Sequence, residues 1–455
     1  MKSAKFTRYR YLFSGLVWNF HRPFIDGEIL NGSNHFKLHT QWRLMTTSKR
    51  VQDRSKRKRI HDLEVVLEKH KIISKTLFLL EILKQEPEQV MPIRSLDQYR
   101  EKINLPKPNK LSVFLRKSPK LFELYKDTKG IMWCGMTKMA EGLMEEEERI
   151  IEENSDKAAE CVTRMLMIAV DKRLQLDKIA HFRRDLGLPL DFRKDWVHQY
   201  PQSFKVVQPF KPHDEREYLE LVDWNPNLAI TELEKKVSRI TGSKDYEHVP
   251  GLLSLAFPMK FPSNYKQVSR YVAQIGNFQK REYLSPYADP RGLKAGSLEF
   301  DKRAVAIMHE LLSFTIEKRL VTDHLTHFRR EFLMPQKLMR LLLKHFGIFY
   351  VSERGKRFSV FLNEGYVGSE LIEKHPLVTW KEKVECLVGY RKNKKEIETT
   401  KCLPDMEDIN WYVSESENED IWLGHEGDSI GSLEDGSTED SCEMDVEEIY
   451  NEYED

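Results

Sequence analysis

Hydrophobic and polar residues follow nearly the same order at three places in the chain. The three segments begin at Leu96 ("LDQYREKINLP"), Ile179 ("IAHFRRDLGLP") and Leu325 ("LTHFRREFLMP"), and each has apolar residues ten, seven and three positions before a proline. Spacings of three and four place such residues on one face of a helix. The proline disfavours helix in the residue before it and is tolerated in the first turn of the next helix. Each copy therefore predicts a helix, a tight break and a second helix.

The same further elements flank each copy. A longer amphipathic helix is predicted upstream, in "DLEVVLEKHKIISKTLFLLEILK", "AAECVTRMLMIAVDK" and "KRAVAIMHELLSFTIEK", and a short apolar link follows it. Downstream, alternating apolar residues after a proline or glycine predict two short strands joined by a turn. This order of elements is that of a winged helix. The pattern thus predicts a mainly α chain with short β-hairpins (α+β), built from three tandem winged-helix-like units.

The three units divide the chain into six segments. The predicted segments are an organelle transit peptide with a basic arm (1–60), unit one (61–150), unit two (151–245), a basic and aromatic linker (246–295), unit three (296–390) and an acidic disordered tail (391–455). Winged helices often bind nucleic acid, but they also serve as spacers between proteins. The fold alone therefore does not decide the function.

Charge is distributed unevenly, although the formal net charge is only +1. Residues 1–60 carry 14 Lys and Arg against three acids, residues 402–455 carry 20 acids and no Lys or Arg, and residues 61–401 have a net charge of +10. Such blocks indicate separate roles for the arm, the body and the tail. The tail has too little apolar surface to offset the entropy of ordering. Either it only keeps the protein soluble, or it competes with a polyanionic ligand for the basic body.

The N-terminal arm has the character of a targeting sequence. It is rich in arginine and aromatic residues and has no acid before Asp26, which is typical of an organelle transit peptide. Its low serine content favours mitochondria over chloroplasts. The run "SKRKR" from Ser55 leaves a nuclear signal as a weak alternative. No apolar stretch reaches the roughly 20 residues of a membrane span, so a soluble protein without a membrane partner is expected.

Unit three carries the first candidate nucleic-acid surface. Three cations of its second helix fall at positions i, i+3 and i+7, opposite an apolar face, and the following hairpin turn, "SERGKRFS", adds three more. These six candidates are Lys337, Arg340, Lys344, Arg354, Lys356 and Arg357. Together they could track an RNA phosphate backbone, although a merely solvated helix face would show the same charges.

The linker carries the second candidate surface. Its cations are interleaved with aromatic residues, which suits single-stranded RNA because exposed bases stack on rings while cations neutralise phosphates. The candidates are Lys260, Tyr265, Lys266, Arg270, Lys280 and Arg281. Large rings at such spacing also belong to hydrophobic cores, and some of these rings are expected to be buried.

Motifs for catalysis, metals and cofactors are absent from the sequence. "HELLS" at His309 resembles the start of a zinc-protease motif, but Ser313 stands where the second histidine would be. The sequence contains neither a phosphate-binding loop nor a G-x-S-x-G motif. The five cysteines are far apart, without a C-x-x-C pair. We therefore expect a protein that is not an enzyme and has no cofactor, metal site or catalytic residue.

Several longer phrases resemble the plant organelle RNA recognition (PORR) domain family. These phrases, in order, are "FLRKSPKLFELY", "RDLGLPLDF", "YPQSFKVV", "LELVDWNPNLAITELE", "FPMKF", "YLSPYADP", "MHELLSFTIEKR", "MPQKLMRLLLKHFGIFYVSERGKRFSVFLNEGY" and "LIEKHPL". They span about residues 60–388. The chain departs from the family pattern at "MPQKL", where a leucine is expected before the proline, and in having no tryptophan before "YLSPY".

The resemblance implies a nuclear-encoded plant protein that is imported into plastids or mitochondria, binds RNA and promotes splicing of group II introns. It supplies no catalytic residues. The expected function is therefore that of a non-enzymatic mitochondrial splicing factor, with single-stranded or structured intron RNA as its partner and other splicing factors as further partners. The alternative is a protein-protein scaffold in mitochondrial splicing or ribosome assembly.

Overall fold

The computed structural model describes most of the body of the chain. The described residues are 58–105, 109–208, 216–242, 255–263, 265–352 and 357–389. The predicted transit peptide, the acidic tail and the turn residues Arg354 and Lys356 lie outside these ranges. Among the described helices, none combines the length and the apolar character that crossing a membrane requires.

Unit one follows the predicted order of elements. A long helix leads into a short strand, short helical turns, a second helix and two strands, and a further helix, α4, continues towards unit two. The elements are α1 (His61–Gln85), β1 (Val90–Pro92), α2 (Ile93–Leu96), α3 (Leu111–Arg116), β2 (Phe122–Lys126), β3 (Met132–Met136) and α4 (Lys138–Glu153).

Unit two repeats this order with a shorter second helix. Between the two prolines Pro189 and Pro201 the chain forms turns and a single 3-10 turn, Trp196–Gln199, instead of the predicted α-helix. Trp196 and Val197 are buried by these turns, so the segment still closes the core. The elements are α5 (Ser155–Ile168), β4 (Arg173–Gln175), α6 (Leu176–Ala180), α7 (Arg183–Leu186), β5 (Phe204–Val207), β6 (Tyr218–Leu221) and α8 (Glu232–Thr241).

Unit three is preceded by a helix in the linker and followed by a small hairpin and a C-terminal helix. The elements are α9 (Ser269–Gln279), α10 (Leu298–Phe314), β7 (Arg319–Val321), α11 (Thr322–Thr326), α12 (Leu338–Lys344), β8 (Phe349–Ser352), β9 (Ser359–Leu362), β10 (Tyr366–Val367), β11 (Glu370–Leu371) and α13 (Pro376–Leu387). The described chain is therefore a mixture of helices and small antiparallel sheets, as the α+β prediction requires.

The three units share one sheet topology. In each unit the third strand pairs with both others in antiparallel fashion, which gives the orders β1-β3-β2, β4-β6-β5 and β7-β9-β8. The repeated apolar positions before each proline point into the core: eight of the nine are buried and Tyr99 is half-buried. The spacing of apolar residues in the sequence thus identified the inner face of all three repeats correctly.

Buried apolar residues form two clusters in the described chain. One cluster joins units two and three with the linker, and runs from Ala158 to Leu362. The other joins unit one to the C-terminal helix α13 and to one side of unit three, including Phe361 and Trp380. Units two and three therefore share a core, whereas unit one is completed by the end of the chain.

Units two and three pack against each other with reciprocal contacts. The backbone N–H of Val170 donates to the carbonyl of Glu331 at 2.9 Å, and the N–H of Ile316 donates to the carbonyl of Asp185 at 2.9 Å. Val170 is equivalent to Ile316 in the repeat, and Asp185 is equivalent to Glu331, because each pair has the same offset in the sequence numbering. Reciprocal pairing of equivalent residues is the mark of two-fold symmetry. We call this symmetric contact the local dyad.

Side chains on the local dyad pair with their own counterparts. The rings of Phe182 and Phe328, which are equivalent residues of the two units, have centroids separated by 5.2 Å. The guanidinium of Arg164 meets the carboxylate of its equivalent, Glu310, and both side chains are almost completely buried. The Tyr287 hydroxyl accepts from Arg164 Nε at 2.9 Å and donates to Glu310 at 2.8 Å, so the buried charges are surrounded by hydrogen bonds.

Candidate nucleic-acid interface

The second helix of unit three presents the predicted basic residues. Lys337 is exposed at the residue before α12, while Arg340 and Lys344 are half-buried within the helix. Leu338 and Leu342 on the opposite side are buried in the core. The apolar side fixes the orientation of the helix, and the three cations therefore lie on its outer side.

The hairpin turn of unit three contributes Arg357 among the described residues. Its side chain is exposed, and its Nε lies 3.3 Å from Oδ2 of Asp323 on α11. An exposed ion pair of this kind contributes little to stability, so the guanidinium can exchange its partner for a phosphate at low cost.

The linker rings pack against the end of α12. Phe261, Tyr265, Tyr271 and Phe346 form a ring cluster in which the centroid of Phe346 lies 4.8 Å from that of Tyr265 and 5.0 Å from that of Tyr271. The Tyr271 hydroxyl donates to the carbonyl of Lys344 at 2.9 Å. The core alternative therefore applies in part to this cluster, because Phe346 is buried and the three linker rings are half-buried.

The linker cations are placed in different surroundings. Lys260 Nζ donates to the carbonyl of Tyr366 at 2.7 Å, and Arg281 pairs with Glu299 at 3.0 Å. The remaining three candidates, Lys266, Arg270 and Lys280, are exposed. Residue 270 lies near the start of α9 and residues 280 and 281 follow its end, about 15 Å apart along the helix axis.

The structure thus brings part of the two predicted surfaces together. Tyr265 and the Lys344 end of α12 meet at the ring cluster, whose Phe346 also lies 4.7 Å below Lys58 Nζ. Lys280 and Arg281 lie at the far end of α9. The contiguous candidate surface consists of the outer side of α12 and the adjoining start of the linker.

Other charged residues in the repeated helices hold the fold together. Lys302 is buried in α10, and its Nζ donates to the carbonyl of Gln279 at 2.9 Å at the end of α9. Burial lowers the pKa of Lys302 to about 8. Such a lysine satisfies the last carbonyl groups of a helix and is not available to a ligand.

The "HELLS" phrase is also structural. His309 Nε2 lies 2.6 Å from Oε1 of Glu364, and Glu310 belongs to the local dyad. Although burial acts to raise it, the pKa of Glu364 is lowered to about 2 by the contact with His309 and by Lys236. Within the described ranges, no group of three or more His, Cys, Asp or Glu side chains is arranged to hold a metal ion.

Sequence reasoning missed one exposed cluster, formed by His181, His324 and His327. It lies where units two and three meet. The signal in the sequence was the phrase "HFRR", which both copies contain. Nothing in the sequence showed that the two phrases touch.

Comparison with known proteins identifies the domain family of the chain. The model of the plant organelle RNA recognition domain matches residues 58–393. The chain is 38% identical over 336 residues to the chloroplastic homolog of protein WHAT'S THIS FACTOR 1 from Arabidopsis thaliana, covering 73% of this chain and 63% of that protein. It is 36% identical to the chloroplastic WHAT'S THIS FACTOR 1 of Zea mays, covering 73% of this chain and 67% of that one.

A further relative carries a different organelle in its name. The chain is 26% identical over 301 residues to the mitochondrial protein WHAT'S THIS FACTOR 9 of Arabidopsis thaliana, covering 66% of this chain and 75% of the relative. No solved structure matches the chain. The domain match extends from α1 through α13 and includes all three repeated units. The chain therefore belongs to the plant organelle RNA recognition domain family.

Proposed function

We propose that this protein binds intron RNA in mitochondria and promotes the splicing of group II introns without catalysing a chemical step itself. The observation that carries the proposal is the basic outer side of α12 beside the ring cluster, in a chain of an RNA recognition family. We interpret the three units as winged-helix-like, because each combines helices with an antiparallel sheet of the order first-third-second. The body, residues 61–401, has a net charge of +10, which favours binding to a phosphate backbone.

The mechanism that we propose is positioning. Lys337, Arg340 and Lys344 neutralise successive phosphates, while the shared cores keep the units at fixed distances from each other. RNA that follows these surfaces is held in one of its many conformations. If the protein binds the splicing-competent conformation of the intron more tightly than its other conformations, binding increases the population of that conformation.

Salt dependence tests RNA binding directly. The full chain should retain a labelled group II intron fragment on a filter, and the logarithm of its affinity should fall linearly with the logarithm of the salt concentration, by about 0.7 per phosphate neutralised on a single strand. An apolar docking surface would show little salt dependence. Absence of salt-sensitive RNA binding would refute the proposal and favour the protein-protein scaffold.

A five-residue variant tests the location of the surface. Replacing Lys337, Arg340, Lys344, Lys356 and Arg357 by alanine should weaken RNA binding and reduce the salt slope. Stability should change by less than about 0.5 kcal/mol at each of the exposed residues Lys337 and Arg357. The matched control replaces five exposed lysines of other surfaces, Lys120, Lys138, Lys157, Lys205 and Lys383. Equal losses of affinity in the two variants would show that only total charge matters.

The organelle and the transcript are tested in the plant. The arginine-rich arm, with no acid before Asp26, supports mitochondria, whereas the names of the Arabidopsis and maize relatives support chloroplasts for those proteins. A reporter fused to residues 1–60 should enter mitochondria, and import into chloroplasts alone would overturn that part of the proposal. RNA that co-purifies with the chain should contain group II introns, and those introns should remain unspliced in plants lacking the protein.

A further inference from the structure

The histidine cluster is a product of the local dyad. His181 and His327 are equivalent residues of units two and three, and their ring centroids are 5.9 Å apart with an angle of 25° between the planes. His324 lies 5.2 Å from His181 at 24°. The rings of His324 and His327 thus each lie within 25° of parallel to that of His181, and we call this group of three imidazoles the histidine stack. His181 and His327 are exposed and His324 is half-buried.

The core beneath holds the histidine stack in place. Phe182 packs edge-on against the ring of His324 with centroids 5.8 Å apart, and Phe182 and Phe328 meet on the local dyad. Lys178 Nζ of unit two donates to the backbone carbonyl of His327 at 2.7 Å. These contacts order the rings before any ligand arrives, which lowers the entropic cost of binding on them.

One arginine from each unit lies near the histidine stack. Arg193 of unit two pairs with Asp177 at 2.6 Å, and Arg357 of unit three pairs with Asp323 at 3.3 Å. Asp177 and Asp323 are again equivalent residues of the repeat. All four side chains are about half exposed or more, so these pairs contribute little and the guanidinium groups can turn to a phosphate.

The surroundings of His181 favour its neutral form. Partial burial of the ring lowers the pKa of His181, and His327, Arg193 and Arg357 lower it further, while Asp177 opposes them. At neutral pH the His181 ring is thus a flat, neutral surface with an arginine of each unit nearby. Single-stranded RNA presents the complementary arrangement, a flat base between two phosphates.

We propose that the histidine stack binds an unpaired RNA base, which stacks on the exposed imidazoles while Arg193 and Arg357 contact the flanking phosphates. The inference rests on the proposed RNA binding and adds contact residues beyond the cations of α12. Bases within a duplex are stacked on each other and cannot reach the rings. The site therefore selects unpaired nucleotides.

The test compares alanine and phenylalanine at the two exposed rings. The full chain and its H181A/H327A and H181F/H327F variants are titrated with a labelled single-stranded RNA of about 12 nucleotides, within the range of single-strand site sizes, and with the corresponding duplex. The alanine variant should bind the single strand about 5-fold more weakly, the lower end of the range for losing one stacked base. Its duplex affinity and its salt slope should stay unchanged, because stacking releases no counterions.

The phenylalanine variant and a control complete the design. H181F/H327F keeps flat rings and should retain the affinity of the unchanged chain. H61A removes another exposed histidine, at the start of α1 in unit one, and should bind normally. If the unchanged chain binds RNA and H181A/H327A binds the single strand equally well, the inference is wrong. If the phenylalanine variant is as weak as the alanine variant, stacking is not what the rings do. If the unchanged chain itself does not bind RNA, the proposed function is wrong.

Discussion

Units two and three form a symmetric pair. Unit one is built from the same elements but is not part of this two-fold symmetric contact. One position in the repeat illustrates the difference. Arg164 of unit two and Glu310 of unit three occupy the same place ahead of their prolines and carry opposite charges, so they pair across the local dyad. The same position in unit one is Glu81, which pairs instead with Arg184 at 2.7 Å and with Arg183. A repeated sequence pairs symmetrically only where its copies have become complementary.

Unit one gains its contacts from the end of the chain. Trp380 of α13 is buried, and its Nε1 donates to the carbonyl of Leu143 on α4 at 2.9 Å. Glu64 of α1 accepts hydrogen bonds from the hydroxyls of Tyr350 and Ser352 of unit three, at 2.9 Å for Ser352. The comparison therefore predicts two cooperative regions with different sensitivities.

The largest effect is expected at the local dyad. Replacing Glu310 by alanine removes the completely buried carboxylate that faces Arg164, whose guanidinium keeps only the more exposed Glu232 at 2.8 Å. This change should lower the free energy of unfolding by at least about 3 kcal/mol, the lower end for breaking a buried ion pair. Denaturant titration measures the change. Replacing both residues by apolar ones of similar size should recover much of the loss, since no unpaired charge then remains.

The matched control is Glu153→Ala. Glu153 and Arg149 form an exposed pair at 3.9 Å, so this change should cost less than about 1 kcal/mol. A similarly small effect of Glu310→Ala would show that the dyad pair does not hold units two and three together.

Trp380→Ala should disrupt the cluster that joins unit one to α13. Emptying this buried site should cost about 3 kcal/mol, the lower end for a buried tryptophan. Hydrogen exchange should then increase in unit one, while unit two and the core that it shares with unit three stay protected. Val367→Ala, at an exposed residue of β10, is the control. Uniform loss of protection over all three units would mean one cooperative core instead of two.

His345→Leu should stabilise the shared core of units two and three. The ring of His345 is buried against Phe278 at 4.2 Å, and neither ring nitrogen has a hydrogen-bond partner among the described residues. Removing such unsatisfied groups should add roughly 1 kcal/mol at pH 7. Burial lowers the pKa of His345 to about 3, against the ordinary 6.5 in the unfolded chain.

The pH dependence of this variant follows from that difference. Between pH 6.5 and 3 the unfolded state binds a proton that the folded state does not, so His345 costs stability increasingly as the pH falls. The advantage of His345→Leu should grow by about 1.6 kcal/mol between pH 6.5 and pH 5. Denaturant titrations at both pH values measure it, and an advantage that is the same at both would contradict the assignment.

The smallest effect is expected at the exposed rim of the local dyad. Lys178 of unit two forms an ion pair with Glu331 of unit three, and both side chains are about one quarter exposed. A double-mutant cycle of Lys178→Ala and Glu331→Ala should give a coupling energy below about 1 kcal/mol. A coupling energy as large as that of the Arg164 and Glu310 pair would show that the exposed contacts of the dyad stabilise it as much as the buried ones.

Local patterns in the sequence determined the repeated units. Spacings of three and four residues before Pro106, Pro189 and Pro335 identified the buried faces, and alternation identified the strands. The second helix of unit two was predicted wrongly. The segment between Pro189 and Pro201 buries its apolar residues by forming turns instead of an α-helix. These signals could be interpreted without a structure because each depends on neighbours within one or two helical turns.

The candidate site was predictable only in part. That Lys337 is exposed followed from the apolar residues opposite it. That Tyr265 packs against Phe346 did not, because the two residues belong to different segments, the linker and the second helix region of unit three. The roles of Lys302 and His309 as buried structural groups were likewise invisible, since a charged residue in a helix is usually solvated.

The sequence by itself determined that the chain contains three copies of one repeated unit. It also determined which residues of each unit face the core, and that the body is basic. Only the tertiary structure decided which copies pair, because the reciprocal contacts of the local dyad join residues far apart in the sequence and depend on single differences such as Arg164 against Glu310. It also decided that His181 and His327 meet at the surface. Sequence periodicity specifies faces, whereas the choice of partner for each face is made by shape and charge complementarity in three dimensions.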